Sequence, residues 1–342
     1  MKLAIISDLH IGRKMYRTDE NSYNKYEKAG YDALQQNIDI IKEQKPDLII
    51  NAGDVFDVAD PSAVAITKFL QGQAQLNAIA KNAIILGNHD FSFNNKRNHC
   101  SVIEMSNPTY YADYDIKSFV EEDILFIMMP YIYDKADNIK QYLKKCQDMA
   151  KNATNKKKIL ITHGVTDHYF KESLISDPIL LSDELVAEFD LVIIGHIHTP
   201  YNYKQGKTLV ISPGSLIDYQ AYTDRTGPIF LDTDTMEFKK IPVKTPHIIK
   251  LKCTEKDINE KLKNVTFDIY HISYDGDVNA IDNDLFIEAK NKCVNLVIDV
   301  LRHEEEEQKK VKLSTLNIYD WVKEHYPNYA EVFNNAKEVL IE

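Results

Sequence analysis

The chain has 342 residues, 44% of them apolar and 27% charged, a globular composition long enough for one large domain and one or two small ones. Its formal net charge is −11, whereas proteins that hold nucleic acid alone are usually basic. No apolar run approaches the roughly 20 residues needed to span a bilayer, and strand pattern starts at Leu3 with no leader before it, so a cytoplasmic protein without a membrane partner is expected.

Leu3–Ile6 is apolar without alternation, as in a strand covered on both faces, and ends at Asp8-Leu9-His10. Residues 11–27 are polar and aromatic (Arg13, Tyr16, Arg17, Tyr23, Tyr26) and read as a surface loop. From Ala29 to about Glu43, Leu34, Ile38 and Ile41 fall at helical spacing, with Pro46 past the end. Leu48–Ile50 is a second strand, with Gly53-Asp54-Val55-Phe56-Asp57 as its loop. Pro61-Ser62 opens a helix through about Leu76, with Ser62 as its cap. A third strand, Ala83–Leu86, runs into Gly87-Asn88-His89-Asp90. This β-α-β-α-β beginning predicts a largely parallel sheet with helical crossovers.

Ile124–Met129 and Lys158–Ile161 read as strands separated by a helix around residues 136–151. Leu191–Ile194 ends in Gly195-His196-Ile197-His198, and Thr208–Ile211 leads into Ser212-Pro213-Gly214-Ser215. Ile229–Asp232 and Lys239–Val243 read as a hairpin. Together these elements predict an α/β chain with a mixed, two-sheet core flanked by helices. The pattern changes near Lys244-Thr245-Pro246. Beyond it, strand His247–Cys253, helix Glu255–Lys263, strand Asp268–Tyr274, helix Asp284–Lys292 and strand Asn295–Leu301 form a small βαβαβ unit. Glu304–Glu307 followed by Lys309-Lys310 reads as a solvated linker, and the apolar-rich tail from Ser314 as two short helices broken near Pro327. Cys100, Cys146, Cys253 and Cys293 are scattered and form no CxxC pair, which suggests reduced core thiols.

Five apolar runs thus end in Asp, Asn or His, on the side of a parallel sheet where ligands bind. The candidates are Asp8, His10, Asp54, Asn88, His163, His196 and His198. Carboxylate, amide and imidazole without thiolate suit Mn²⁺, Fe²⁺ or Zn²⁺ better than Mg²⁺ or Ca²⁺. Seven ligands are too many for one catalytic ion, but two ions sharing a bridging carboxylate account for them, in the arrangement that clamps a phosphoryl displacement. Asp54 is the best bridge, because it is central in chain order and follows Gly53. His89 is placed to reach a leaving-group oxygen as general acid, and Asp57 or Asp90 to orient it or another histidine. Each motif alone is weak, and DxH is usually a strand-end turn; the weight lies in the combination, in this order, on strand ends. His99, His168, His247, His271, His303 and His325 sit in no such setting and read as packing or surface residues. Gly206-Lys207-Thr208 lacks the upstream glycine of a phosphate-binding loop, since Tyr201 stands there, so any ATP use belongs to a partner.

The series DLH (8–10), GDVFD (53–57), GNHD (87–90), His163 and GHIH (195–198) resembles the calcineurin-like metallophosphoesterases. GDVFDVADPS (53–62) resembles the GDLFD-x-x-x-PS stretch of the SbcD-type and meiotic-recombination DNA nucleases, and SPGSL (212–216) their YPGS segment, with Ser212 in place of the usual aromatic. The resemblance implies a four-layer α-β-β-α sandwich over residues 1–243, a capping domain over 244–303, and a linker with a C-terminal helix pair over 304–342. That pair would dock on an SMC-like ABC ATPase. It also implies one ion on Asp8, His10, Asp54 and His198, a second on Asp54, Asn88, His163 and His196, and His89 as the catalytic histidine. Mn²⁺ is the expected metal, DNA the substrate and a homodimer the expected assembly. The implied activity is exonuclease on duplex ends and endonuclease on single strands, regulated by the ATPase. The length is close to that of phage recombination-endonuclease subunits, which would place the protein in a host cytoplasm. The alternatives are a phosphoesterase acting on phosphoproteins or small nucleotides, which needs neither cap nor apolar tail, and a scaffold that no longer cleaves, which would not keep every ligand.

Overall fold

The computed structural model describes residues 1–14, 20–92, 101–133, 136–170, 179–217 and 226–301. Its central strands are the non-alternating apolar runs, and burial on both faces explains their composition. In the strand Lys2–Ile6, Leu3 and Ile5 face one buried cluster while Ala4 and Ile6 face another. The first cluster lies between two sheets, where Leu3, Ile5, Ile50 and Ile85 meet Phe126, Met128, Ile161 and Ile193. The second holds the outward sides of the strands with the helices, including Ile38 and Phe69 on one set of helices and Ile139 and Cys146 on another. The result is an α-β-β-α sandwich.

One sheet has the order Phe238–Lys240, Ile229–Asp232, Lys2–Ile6, Leu48–Asn51, Lys81–Ile85, Tyr110–Ala112. Its last four strands run parallel, and the other two are joined on by antiparallel pairing, Ile229–Asp232 to Lys2–Ile6 and Phe238–Lys240 to Ile229–Asp232. The other sheet has the order Tyr201–Gln205, Thr208–Ser212, Leu191–Gly195, Lys157–His163, Ile124–Met129, Lys117–Glu121, with four parallel central strands between antiparallel edges. Tyr110 of the first sheet stacks on Phe119 of the second at 3.6 Å between ring centroids, and Phe119 stacks on Phe126 at 4.7 Å. This three-ring column ties the two sheets together at one end.

The first helix corrects the sequence expectation. It spans Glu20–Gln44 and not Ala29 to Glu43, and Tyr26, placed in a surface loop above, is buried on it. Tyr26, Ala29, Ala33, Leu34, Ile38 and Ile41 form one buried stripe at helical spacing; a tyrosine among polar neighbours fits a loop as well as a core, so its place on the stripe is not visible from spacing. Residues 15–19 lie outside the described ones. The second helix, Ala63–Ile79, starts where expected, with the Ser62 hydroxyl accepting from the Ala65 N–H at 3.2 Å. The third long helix is Ala136–Asn152. The hairpin partner of Ile229–Asp232 is Phe238–Lys240 and not Lys239–Val243. Three edge strands, Tyr110–Ala112, Lys117–Glu121 and Tyr201–Gln205, were not anticipated.

Farther along, Ile248–Thr254, Ile269–Asp275 and Asn295–Val300 form a parallel three-stranded sheet, with helices Ile258–Lys263 and Asn283–Lys292 as crossovers. It has its own core of Ile258, Leu262, Ile272, Tyr274 and Cys293. It meets the first helix through apolar packing, with Ile269 and Val294 in the cluster that holds Tyr26 and Ala29, and through one polar clamp: Lys25 Nζ donates to the carbonyls of Lys290 (3.0 Å), Asn291 (2.7 Å) and Cys293 (2.9 Å). Those carbonyls close the helix Asn283–Lys292 and would otherwise lack partners within it. Cys146, Cys253 and Cys293 are buried free thiols. Among the described residues no helix is long and apolar enough to cross a membrane. Cys100 and the linker and helix pair expected over 304–342 lie outside the described residues.

Phe126 is fully buried between the sheets and ends the aromatic column. Phe126→Ala should destabilise the fold by about 3–5 kcal/mol, lowering the urea midpoint with an unchanged m-value; a midpoint that does not move would show that the column is dispensable.

Candidate metal centre

The strand ends that carry Asp8, His10, Asp54 and His196 share an uncommon backbone. Their φ values are +51°, +43°, +53° and +95°, which puts four of the nine described non-glycine residues with positive φ at this one place. Asp, Asn and His tolerate that region better than most residues, yet each such residue still carries strain on the order of 1 kcal/mol. Ladder-like bonds fix the loops in that shape. Asp8 N–H donates to the Gly53 carbonyl (2.9 Å) and His10 N–H to that of Asp54 (3.0 Å). Two glycines let the loops meet. A Cβ on Gly87 would overlap Asp54, and one on Gly195 would overlap the Ala52 carbonyl and lie 2.7 Å from His163 Nδ1.

The seven candidate ligands and His89 come together here. Ligand-capable atoms of Asp8, His10, Asp54 and His198 lie within 4.8 Å of one another, as do those of Asp54, His163 and His196. Asn88 joins the second group, its Oδ1 lying 3.1 Å from His163 Nε2 and 2.9 Å from His196 Nδ1. Asp54 belongs to both groups, with its Oδ2 at 3.6 Å from His10 Nε2 and 3.4 Å from His163 Nε2. His10 Nε2 and His198 Nε2 point at each other across 2.9 Å. Two imidazole nitrogens and two carboxylates converging on one point, without thiolate, are a donor set suited to a divalent transition ion.

Supporting bonds aim these groups. His163 Nδ1 donates to the Ala52 carbonyl (2.8 Å), which turns Nε2 toward Asp54 and Asn88. Asp8 accepts from the Ser7 hydroxyl (2.6 Å) and from the His196 N–H (3.0 and 3.1 Å). The roles left open for Asp57 and Asp90 now separate. The Asp57 carboxylate lies 3.3 Å from His10 Nδ1, while its backbone carbonyl accepts from His89 Nδ1 at 2.7 Å. Among the described residues Asp90 touches no imidazole; it accepts from the N–H groups of Gly87 (2.9 Å), Phe56 (3.0 Å) and Val55 (3.3 Å) and so ties one loop to the next. A third group of His10, Asp57 and His89 also converges, but Arg13 Nε lies 3.6 Å from the same Asp57 oxygen, a cation already facing that carboxylate.

Burial would raise Asp54, but the charge and hydrogen bond of His163, then His10 and His89, hold it far below the usual carboxylate range. Burial would lower His163, and the Asp54 charge overrides that, pushing it up to about 10. Burial lowers His198 to about 4, against the pull of Asp8. Burial, then the Asp54 charge, raises Asp90 to about 7 against its three backbone donors. Asp54 Oδ2 and His163 Nε2, which pair at 3.4 Å, are the atoms each would offer to a cation.

Two aromatic residues escaped the sequence reading. Tyr131 packs against His163 and His196, at 6.1 and 6.3 Å between centroids, and the Tyr133 hydroxyl donates to the Asn88 carbonyl at 3.2 Å. They follow the strand Ile124–Met129, and the strand-end rule that found the other residues would have found them had it not been restricted to metal ligands.

A family model described as calcineurin-like phosphoesterase matches residues 1–200. The DNA double-strand break repair protein Mre11 of Thermoplasma acidophilum is 28% identical over 205 residues, covering 56% of this chain and 50% of that protein. The chain therefore spans about half the length of that curated relative. Among solved structures, a novel archaeal phosphodiesterase is 19% identical with a TM-score of 0.39, covering 71% of this chain and 100% of the other. A dimetal phosphatase from Danio rerio is 12% identical with a TM-score of 0.44, covering 67% and 91%.

Asp90→Asn keeps the shape of the side chain but swaps an accepting oxygen for an NH₂ that faces backbone N–H groups. The metal-free protein should lose about 1–3 kcal/mol of stability in urea, with the two ligand groups chemically intact; unchanged stability would remove Asp90 from the bracing role.

Proposed function

The chain belongs to the calcineurin-like phosphoesterases, and on that footing we propose that it is a two-metal phosphodiesterase, the nuclease subunit of a DNA repair or recombination complex. The observation that carries the two-metal reading is the position of the Asp54 carboxylate, in reach of both ligand groups at once. The similarity to a double-strand break repair protein favours DNA as substrate. On this reading Asp8, His10, Asp54 and His198 hold one ion and Asp54, Asn88, His163 and His196 the other, with Mn²⁺ expected. The ions would supply Lewis-acid chemistry, drawing charge from the phosphoryl group and easing deprotonation of the attacking water.

The chain's own residues do the rest. His89 donates from Nδ1 to the Asp57 carbonyl, so the proton it exchanges is carried on Nε2. As an imidazolium it gives that proton to the leaving oxygen, the task of a general acid. Its backbone N–H donates to Asp54 Oδ1 at 2.8 Å, which keeps the ring in register with the bridging carboxylate. Asp57 and the Ala52 carbonyl fix the ring orientations of His10 and His163. Residues 1–243 act as the nuclease domain, 244–303 as a cap over the substrate path, and 304–342 as the docking segment for an SMC-like ABC ATPase; a homodimer is the expected assembly. Exonuclease action on duplex ends and endonuclease action on single strands follow from the same branch assignment.

Purified protein with Mn²⁺ should cleave linear duplex and single-stranded DNA and a small chromogenic phosphodiester, and leave a phosphopeptide intact. Cleavage of the phosphopeptide alone would sink the nuclease reading. His89→Ala should retain Mn²⁺ binding by calorimetry while losing about 10²–10⁴-fold in rate; loss of metal would make His89 a ligand. Because the net charge is −11 and non-specific binding is mainly phosphate neutralisation, the chain alone should bind duplex DNA weakly at physiological salt, and tight, steeply salt-dependent binding would contradict this.

A further inference from the structure

We propose that Arg13 anchors a phosphate flanking the scissile bond, so that the site selects a polynucleotide over an isolated diester; this rests on the phosphodiesterase reading above. Arg13 is delivered to a defined place. Ile11 pairs with Phe56, the Ile11 N–H donates to the Val55 carbonyl (2.9 Å), and the Arg13 N–H donates to the His10 carbonyl (3.0 Å). Gly12 has a φ of +86°, and a Cβ there would lie 2.9 Å from the Ala65 Cβ, so the turn before Arg13 is closely packed.

The guanidinium reaches the centre of the site through Asp57. Arg13 Nε lies 3.6 Å and His10 Nδ1 3.3 Å from the same oxygen, Asp57 Oδ1. The carbonyl of that residue holds His89, whose ring lies 4.7 Å from that of His10. Arg13 therefore stands one side chain away from the His10–His89 pair. Its side chain is 27% exposed and that of Asp57 22%; Nη1 is buried, so a substrate meets the guanidinium from its open side only. Ion pairs this close to solvent add little stability. The chemistry of the site gives the arginine a use. Asp8, Asp54 and Asp57 make the surroundings acidic, the whole chain carries −11, and a polyanionic substrate needs a fixed cation beside the site. A planar guanidinium oriented by a carboxylate is suited to hold a phosphate.

The test compares the full-length wild type with Arg13→Gln and Arg13→Lys in two assays. In the first, a fluorescent single-stranded oligonucleotide is titrated by anisotropy without metal, over a series of salt concentrations. Arg13→Gln should weaken binding about tenfold at the lowest salt and flatten the log–log salt slope by about 0.7, the loss of one phosphate contact; Arg13→Lys should keep the slope. In the second, Mn²⁺-dependent kcat/KM is measured on the oligonucleotide and on the small chromogenic diester. The ratio of the two should fall about tenfold in Arg13→Gln. An unchanged slope, equal losses on both substrates, or no oligonucleotide binding by the wild type would overturn the anchor; equal losses would mean that Arg13 acts only through Asp57. A wild type that cleaves neither diester refutes the phosphodiesterase reading separately, and the salt slope still decides Arg13.

Discussion

A carboxylate almost sealed from water is the constraint on which the rest of the centre depends. Asp54 is 1% exposed, and an isolated buried charge is costly enough that it must be paired or neutralised. Here it is met by His10, by His163 and by the backbone of His89, which come from three separate segments of the chain. Bringing those segments to one point requires the ends of two different sheets to touch, and that explains the local backbone. The glycines stand where any side chain would collide, and the positive-φ residues are of the types that bear the strain. Replacing a buried charged cluster with apolar residues would often stabilise a protein, so this one is retained against the interest of the fold.

The layered core was readable in advance because its cause is simple: a strand covered on both faces cannot alternate, and Leu3–Ile6, Leu48–Ile50, Ile159–Ile161 and Leu191–Ile194 do not. The edge strands were not readable for the converse reason. Lys117–Glu121 and Tyr201–Gln205 mix polar and aromatic residues, with half-buried positions set by neighbours distant in sequence. The helix start at Glu20 was hidden because Tyr26 can belong to a loop or a core equally well. In the site, residue types at strand ends were enough to identify the converging side chains. The division of labour between Asp57 and Asp90 was not, because it depends on which way each residue's carbonyl and carboxylate point.

Charge and chemistry pull in opposite directions in this molecule. The centre gathers carboxylates for cations, and the chain as a whole repels the polyanion it is proposed to cut. Local positive charge must then come from what the carboxylates hold, from the oriented side chain at position 13, or from a partner. On the proposed reading, a chain of this charge is incomplete in its field, and action on a polyanion would be conditional on what it is bound to.

The Lys25 clamp has a mechanical meaning. Three carbonyls at the end of one helix are gripped by a single ammonium on another, and that second helix carries Tyr26 and Gly30, which line the narrow crevice beside His10 and Arg13. Helix and small sheet are coupled as a lever is to its load. A displacement of the three-stranded sheet would be transmitted along a stiff rod, with the crevice wall one turn from the point of attachment.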